Sequence, residues 1–201
     1  MRLKDRDYGA SGYYFITICT HNRENYFGNI EWSGHVGNVG TQNFASPQEC
    51  SAACVKLTPI GKIAHQYWME IPNHFPFIIL DEFVIMPNHV HGILRINKPD
   101  YRSHKQNIFG PQSENLASVI RAYKAATKKY ATVNHLEFGW QSRYHERIVR
   151  SNELSIFQNY IKNNPIKWMR SHELKCNQYE TIARKNERVI FYHFATASHY
   201  E

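Results

Sequence analysis

Apolar and polar positions alternate along much of the chain with readable periods. Tyr13 to Thr20 is a run of aromatic and β-branched residues, the composition of a buried strand. A short strand follows near Ile30–Trp32. Residues 33–53 then turn to Gly, Ser, Asn, Gln and Ala with little periodicity, which reads as a loop or irregular hairpin inserted in the fold, and Val55–Leu57 returns the chain. Thr58 and Pro59 supply an N-cap and a first-turn proline. Ile60, Ile63, Ala64, Tyr67, Trp68 and Ile71 recur at helical spacing behind them, ending before Pro72.

Phe77–Leu80 and Phe83–Met86 make one long strand or two joined ones, and His89–Ile96 makes the next, with Pro87-Asn88 as the turn between. Residues 97–113 form a polar loop. Leu116, Val119, Ile120, Tyr123 and Ala126 predict an amphipathic helix over 115–130, with Arg121, Lys124 and Lys128 on another face. A strand at Tyr144–Val149 precedes a helix capped by Ser151, carrying Leu154, Phe157, Tyr160 and Ile161 and stopped by Pro165. This order of strands and helices predicts an α+β fold of ferredoxin-like (RRM-like) type, an antiparallel sheet with helices packed on it. The domain spans 1–170, with an extension over 171–201.

Composition narrows the function. At 201 residues with 42% hydrophobic positions, the chain can build one core without disulfides. Its four cysteines, Cys19, Cys50, Cys54 and Cys176, are too scattered for a disulfide framework, and Cys50, Cys54 and His35 fall short of a four-ligand zinc site. No apolar run reaches membrane-span length and no signal-peptide pattern follows Met1, so a soluble, cytoplasmic protein is expected. The net charge of +7 is concentrated: residues 115–170 hold ten basic side chains against three acids, and the rest of the chain is balanced. A basic segment of this kind suggests a polyanionic partner, most often nucleic acid; a solvated basic helix surface is the other reading.

The chemistry centres on His89-Val90-His91. Period two puts both imidazoles on one face of the sheet, where their ring nitrogens can share a divalent cation, and Gly92 leaves room beside them. A pair of half-exposed histidines is the alternative. Tyr160 has Asn164 four residues on, so a phenol and an amide share a helical face; simple packing of Tyr160 is the competing account.

Several blocks together resemble the REP-associated tyrosine transposases, single-tyrosine members of the HUH endonuclease superfamily. They are Tyr14-Phe15-Ile16-Thr17, Gly61-Lys62-Ile63-Ala64, Val84 through Ile93 with Met86-Pro87-Asn88-His89-Val90-His91, Trp140-Gln141, Tyr144 through Arg150, and Tyr160-Ile161-Lys162-Asn163-Asn164-Pro165. The resemblance implies Mg²⁺ or Mn²⁺ held by His89 and His91, with Asn164 at the position of a third ligand. It implies Tyr160 as the nucleophile that cuts single-stranded or hairpin DNA, giving a 5′-phosphotyrosine and a free 3′-OH that can later rejoin the strand. A phenol titrates near about 10, so a cation or base must help it at neutral pH. Arg121, Lys124, Lys128, Arg143, Arg147 and Arg150 are expected on the DNA backbone. A non-catalytic hairpin DNA or RNA binder of the same fold is the alternative, and the resemblance leaves both monomer and homodimer open.

Overall fold

The structure, a computed structural model, describes residues 9–31, 53–99 and 114–171. Most of the insertion, of the 97–113 loop and of the 171–201 extension lies outside the described residues. The chain divides into two compact units, one through Pro165 and one from Ile166 on.

The first unit is built on four antiparallel strands: β1 (Gly12–Cys19), β4 (Ile78–Met86), β5 (His89–Ile96) and β6 (His145–Val149), in the order β4-β5-β1-β6. A two-stranded hairpin, β2 (Gly28–Glu31) with β3 (Cys54–Leu57), leads into helix α1 (Pro59–Met69). A one-turn helix α2 (Ile71–His74) precedes β4, and α3 (Leu116–Val133) links β5 to β6. Setting the hairpin and α2 aside, the order is strand, helix, strand, strand, helix, strand, which with this sheet order is the expected ferredoxin-like fold. Helix α4 (Leu154–Lys162) follows β6.

Local chemistry sets these boundaries. Thr58 caps α1, its hydroxyl oxygen accepting from the Gly61 amide at 3.1 Å, and Pro59 fills the first turn where no donor is needed. Gly61 admits no side chain, since a Cβ there would meet the Phe27 carbonyl oxygen at 2.0 Å. Helix α1 ends at Met69, before Pro72 as expected, and Pro72 stands in the first turn of α2, where its missing amide proton costs nothing. Asn115 and Ser118 form a reciprocal capping box at the start of α3.

Two expectations at α4 are corrected. Ser151 does not cap it: residues Ser151–Glu153 form a 3₁₀ turn, and Glu153 precedes the helix without a side-chain cap. Pro165 does not stop helical backbone either, because the break comes at Asn163 and residues 164–171 are helical. A proline in a helix's first turn loses no hydrogen bond.

The two faces of the sheet differ. Tyr14, Ile16, Ile18, Val90, Leu94 and Ile96 point to one side and join Ile60, Ala64 and Trp68 of α1 and Leu116, Val119, Ile120 and Tyr123 of α3 in the main core. Full burial of each such aliphatic side chain stabilises by roughly 1.5–3 kcal/mol. The Tyr123 hydroxyl donates to the Ala64 carbonyl at 3.1 Å and ties the two helices together. The opposite face, carrying Phe15, Thr17, His89 and His91, is crossed by α4.

Candidate active site

Strand pairing assembles the site. Thr17 lies directly across from His91 and Cys19 across from His89, with Val84 and Met86 on the other flank. The Pro87-Asn88 turn that starts β5 is clamped from outside. Thr20 donates to the Asn88 carbonyl from its amide at 3.0 Å and its hydroxyl at 2.9 Å, and the Phe27 amide donates to Pro87 at 2.9 Å.

Each histidine is oriented through Nδ1. The Asn88 amide donates from Nδ2 to the Arg23 carbonyl at 2.9 Å, which turns Oδ1 toward His89 Nδ1 at 2.8 Å. An amide oxygen only accepts, so this contact favours the tautomer with the proton on Nδ1 and the lone pair on Nε2. His91 Nδ1 meets the Thr17 hydroxyl at 2.9 Å, and the ring stacks on Phe15 at 5.3 Å. The two imidazole centroids stand 4.4 Å apart. Both rings are buried, at 5% and 6% exposure, and both are kept neutral. Burial above all, then the neighbouring His91 and Arg23, brings His89 down to about 3, against an opposing hydrogen bond from Asn164. Burial brings His91 down to about 4, with a backbone hydrogen bond at Ile16 opposing and Arg23 assisting.

Helix α4 brings the phenol. Tyr160 Oη lies 3.5 Å from His91 Nε2, the outer limit of a hydrogen bond, and the rings meet edge to face at 5.3 Å. Tyr160 is 38% exposed, so a ligand can reach its oxygen, while Asn164 is buried and hydrogen-bonded to His89. Thus four residues expected from the sequence, His89, His91, Tyr160 and Asn164, come together. Among the described residues no group of three or more His, Cys, Asp or Glu could hold a metal; the polar groups that meet on this face are two imidazoles and the Asn164 amide. Neutral, Nδ1-anchored imidazoles with an amide oxygen suit a divalent cation that accepts mixed nitrogen and oxygen ligands, Mn²⁺ more readily than the oxygen-preferring Mg²⁺.

The basic residues divide. Arg147 pairs across strands with Phe15 and so lies on the site face; its guanidinium sits over the Phe157 ring at 5.0 Å and 3.0 Å from the Glu153 carboxylate. Arg143 and Arg150 flank β6, both exposed. Arg121, Lys124 and Lys128 are on α3, behind the sheet. There the Lys124 ammonium donates to the Gln141 and Ser142 carbonyls and that of Lys128 to Phe138, which holds the segment before β6 against the helix. Arg121 stays exposed.

Sequence reasoning left out Asn88, Thr17, Phe15 and Arg23 as members of the site. Asn88, Thr17 and Phe15 had a signal: Asn88 adjoins His89, and period two puts Thr17 and Phe15 on one face of β1. Arg23 had none, since it follows β1 in a turn where Asn22 and Arg23 adopt φ of 50° and 61°, the left-handed region that Asn enters readily and Arg seldom.

The chain is 36% identical over 179 residues to an uncharacterized protein of Haemophilus influenzae, spanning 84% of this chain and 88% of that one. It belongs to that protein's family. No family model matches the chain. Among solved structures, a REP-associated tyrosine transposase bound to a REP hairpin shares 17% identity over 83% of this chain and 74% of its own, with a TM-score of 0.49. A proposed transposase of Deinococcus radiodurans shares 15% identity over 81% of this chain and 97% of its own, with a TM-score of 0.39. At such values the likeness does not extend to chemistry, which has to be argued from the site.

Proposed function

We propose that this protein is a single-tyrosine DNA transesterase of the REP-associated transposase type, cutting and rejoining single-stranded or hairpin DNA. The observation that carries the reading is the approach of Tyr160 Oη to His91 Nε2 at 3.5 Å, on a face where two neutral histidines and Asn164 converge. The motif blocks around His89 and Tyr160 support it independently.

In this reading His89, His91 and Asn164 would hold Mn²⁺ or Mg²⁺. The chemistry such a cation would supply, when bound, is polarisation of the scissile phosphate and an offset to the charge that builds on its oxygens. Asn88 and Thr17 keep the rings aimed. Tyr160 Oη gives up its proton to water at its exposed edge and attacks phosphorus. The Oη–P bond forms, the P–O3′ bond breaks, and the 3′ oxygen takes a proton. The ester left on Tyr160 conserves the bond, so the 3′-OH can attack it and restore the strand without an external energy source. Arg147 lies on this face over the Phe157 ring, and with Arg143 and Arg150 it would hold the strand by its phosphates. Contacts from Arg121, Lys124 and Lys128 would fall on a separate arm of a folded hairpin, since α3 is behind the sheet.

A labelled hairpin oligonucleotide incubated with Mn²⁺ tests this. A denaturation-resistant protein–DNA adduct is expected, absent in Tyr160→Phe and in His89→Ala. An adduct kept by Tyr160→Phe removes the nucleophile assignment; salt-sensitive binding with no cleavage in any variant points instead to a binding module.

A further inference from the structure

Helix α4 has only a thin apolar hold on the sheet. Of its side chains only Ile161 is fully buried; Leu154 and Phe157 are half-buried and Ile156 is 65% exposed. Such a contact leaves rotation and axial slip of the helix poorly specified, yet Tyr160 must be placed to within about 1 Å to react efficiently. Something polar has to fix it.

The fixing element lies in β4. Leu80 pairs with Leu94 and Phe83 with Gly92, so two residues of β4, Asp81 and Glu82, stand opposite the single residue Ile93 of β5. This is a β-bulge, a device that re-aims side chains. In a regular strand Asp81 and Glu82 would face opposite sides of the sheet. Here both meet α4. Asp81 Oδ1 accepts from Gln158 Nε2 at 2.8 Å, and the Lys162 ammonium lies 2.9 Å from the Glu82 carboxylate. Asp81 Oδ1 also accepts from the Glu82 amide at 2.6 Å, which braces the bulge itself. Gln158 and Lys162 are one helical turn apart on one flank of the helix, and Tyr160, two residues from each, projects from the other.

We propose that the Asp81-Glu82 bulge positions the nucleophile: it grips Gln158 and Lys162 and so sets the rotation and height at which α4 presents Tyr160 to the two histidines. The inference rests on the function proposed above. Asp81 and Glu82 touch neither metal nor DNA in it; they act through the helix. The Lys162–Glu82 pair is partly exposed, and such pairs contribute little to global stability. Its loss therefore separates positioning from folding.

The test compares wild type, Glu82→Lys, the charge-exchanged double variant Glu82→Lys/Lys162→Glu, and Asp81→Ala. Adduct formation at saturating hairpin and Mn²⁺, hairpin affinity, Tm and hydrogen exchange of the α4 amides are followed. Glu82→Lys and Asp81→Ala should slow adduct formation about ten- to hundredfold. In Glu82→Lys the Tm should hold and hairpin affinity should stay within about twofold. The double variant should recover most of the rate. A Glu82→Lys rate equal to wild type overturns the proposal, as does a loss that the exchanged pair fails to restore. If wild type itself forms no adduct, the transesterase reading falls, and hydrogen exchange then judges the grip alone: faster exchange in α4 of Glu82→Lys, reversed by the exchange of charges, upholds it, and unchanged exchange overturns it.

Discussion

Asn88 shows how much one side chain can set. Its amide spans the Arg23 carbonyl and His89 Nδ1, and so favours leaving the lone pair of His89 on Nε2. Asn88→Ala removes that support and should weaken Mn²⁺ binding about 10- to 100-fold by titration calorimetry, the usual cost of losing a group that orients a metal ligand. The two histidines also predict an acid response of the metal-free protein. Their folded-state values, about 3 and about 4, lie below the ordinary 6.5, so the unfolded chain binds more protons between those limits. Stability should be fully present above about pH 6.5 and decline as the pH falls toward 4. Urea midpoints in chelator at pH 7 and pH 5 measure this; a His89→Asn/His91→Asn double variant should show a smaller difference, and an equal difference would contradict the assignment. The pair itself was legible from His-x-His spacing. Its neutrality was not, because that depends on how completely α4 and β1 bury the rings.

At the scale of elements, the strand with the histidines was readable to its ends, since apolar His89–Ile96 follows a turn dipeptide. The junction at α4 was not. Ser151 and Pro165 are ordinary start and stop signals, but Ser151–Glu153 forms a 3₁₀ turn whose Glu153 accepts from the Arg150 amide and pairs with Arg147, and the break comes at Asn163, whose amide and side chain both donate to the Asn159 carbonyl. The bulge at Asp81-Glu82 was equally hidden: two adjacent acids in an apolar strand hint at an irregularity, but only pairing with β5 shows it. Gly92 carries a plainer message. A Cβ there would stand 2.3 Å from Trp68 Cζ2, so the glycine is needed for α1 to pack on the sheet rather than for a ligand to enter. Gly92→Ala should cost about 1–3 kcal/mol in urea unfolding. Little change in midpoint would mean that Trp68 can move aside.

For the molecule as a whole, the sheet separates two sources of charge that the sequence presents as one basic segment. The residues on α3 lie behind the sheet, and two of them already bond carbonyls; Arg147, on β6, shares the face of Tyr160. Replacing Arg143, Arg147 and Arg150 with Gln should therefore reduce the salt dependence of hairpin binding, its log–log slope falling by up to roughly 0.7–0.9 for each phosphate that is no longer neutralised. The matching Arg121, Lys124 and Lys128 replacements should change it less, as measured by fluorescence anisotropy across a salt series. Linear sequence shows how much charge there is, and only the sheet order shows where it can act. Among the described residues no helix is long and apolar enough to cross a membrane. The central claim is the covalent role of Tyr160, and it is tested most directly by digesting the protein after reaction with hairpin DNA and Mn²⁺ and sequencing the nucleotide-bearing peptide by mass spectrometry. The account predicts a 5′-linked nucleotide on Tyr160 and a released strand ending in a 3′-OH; a nucleotide on any other residue, or a free 5′-phosphate with unmodified protein, would contradict it.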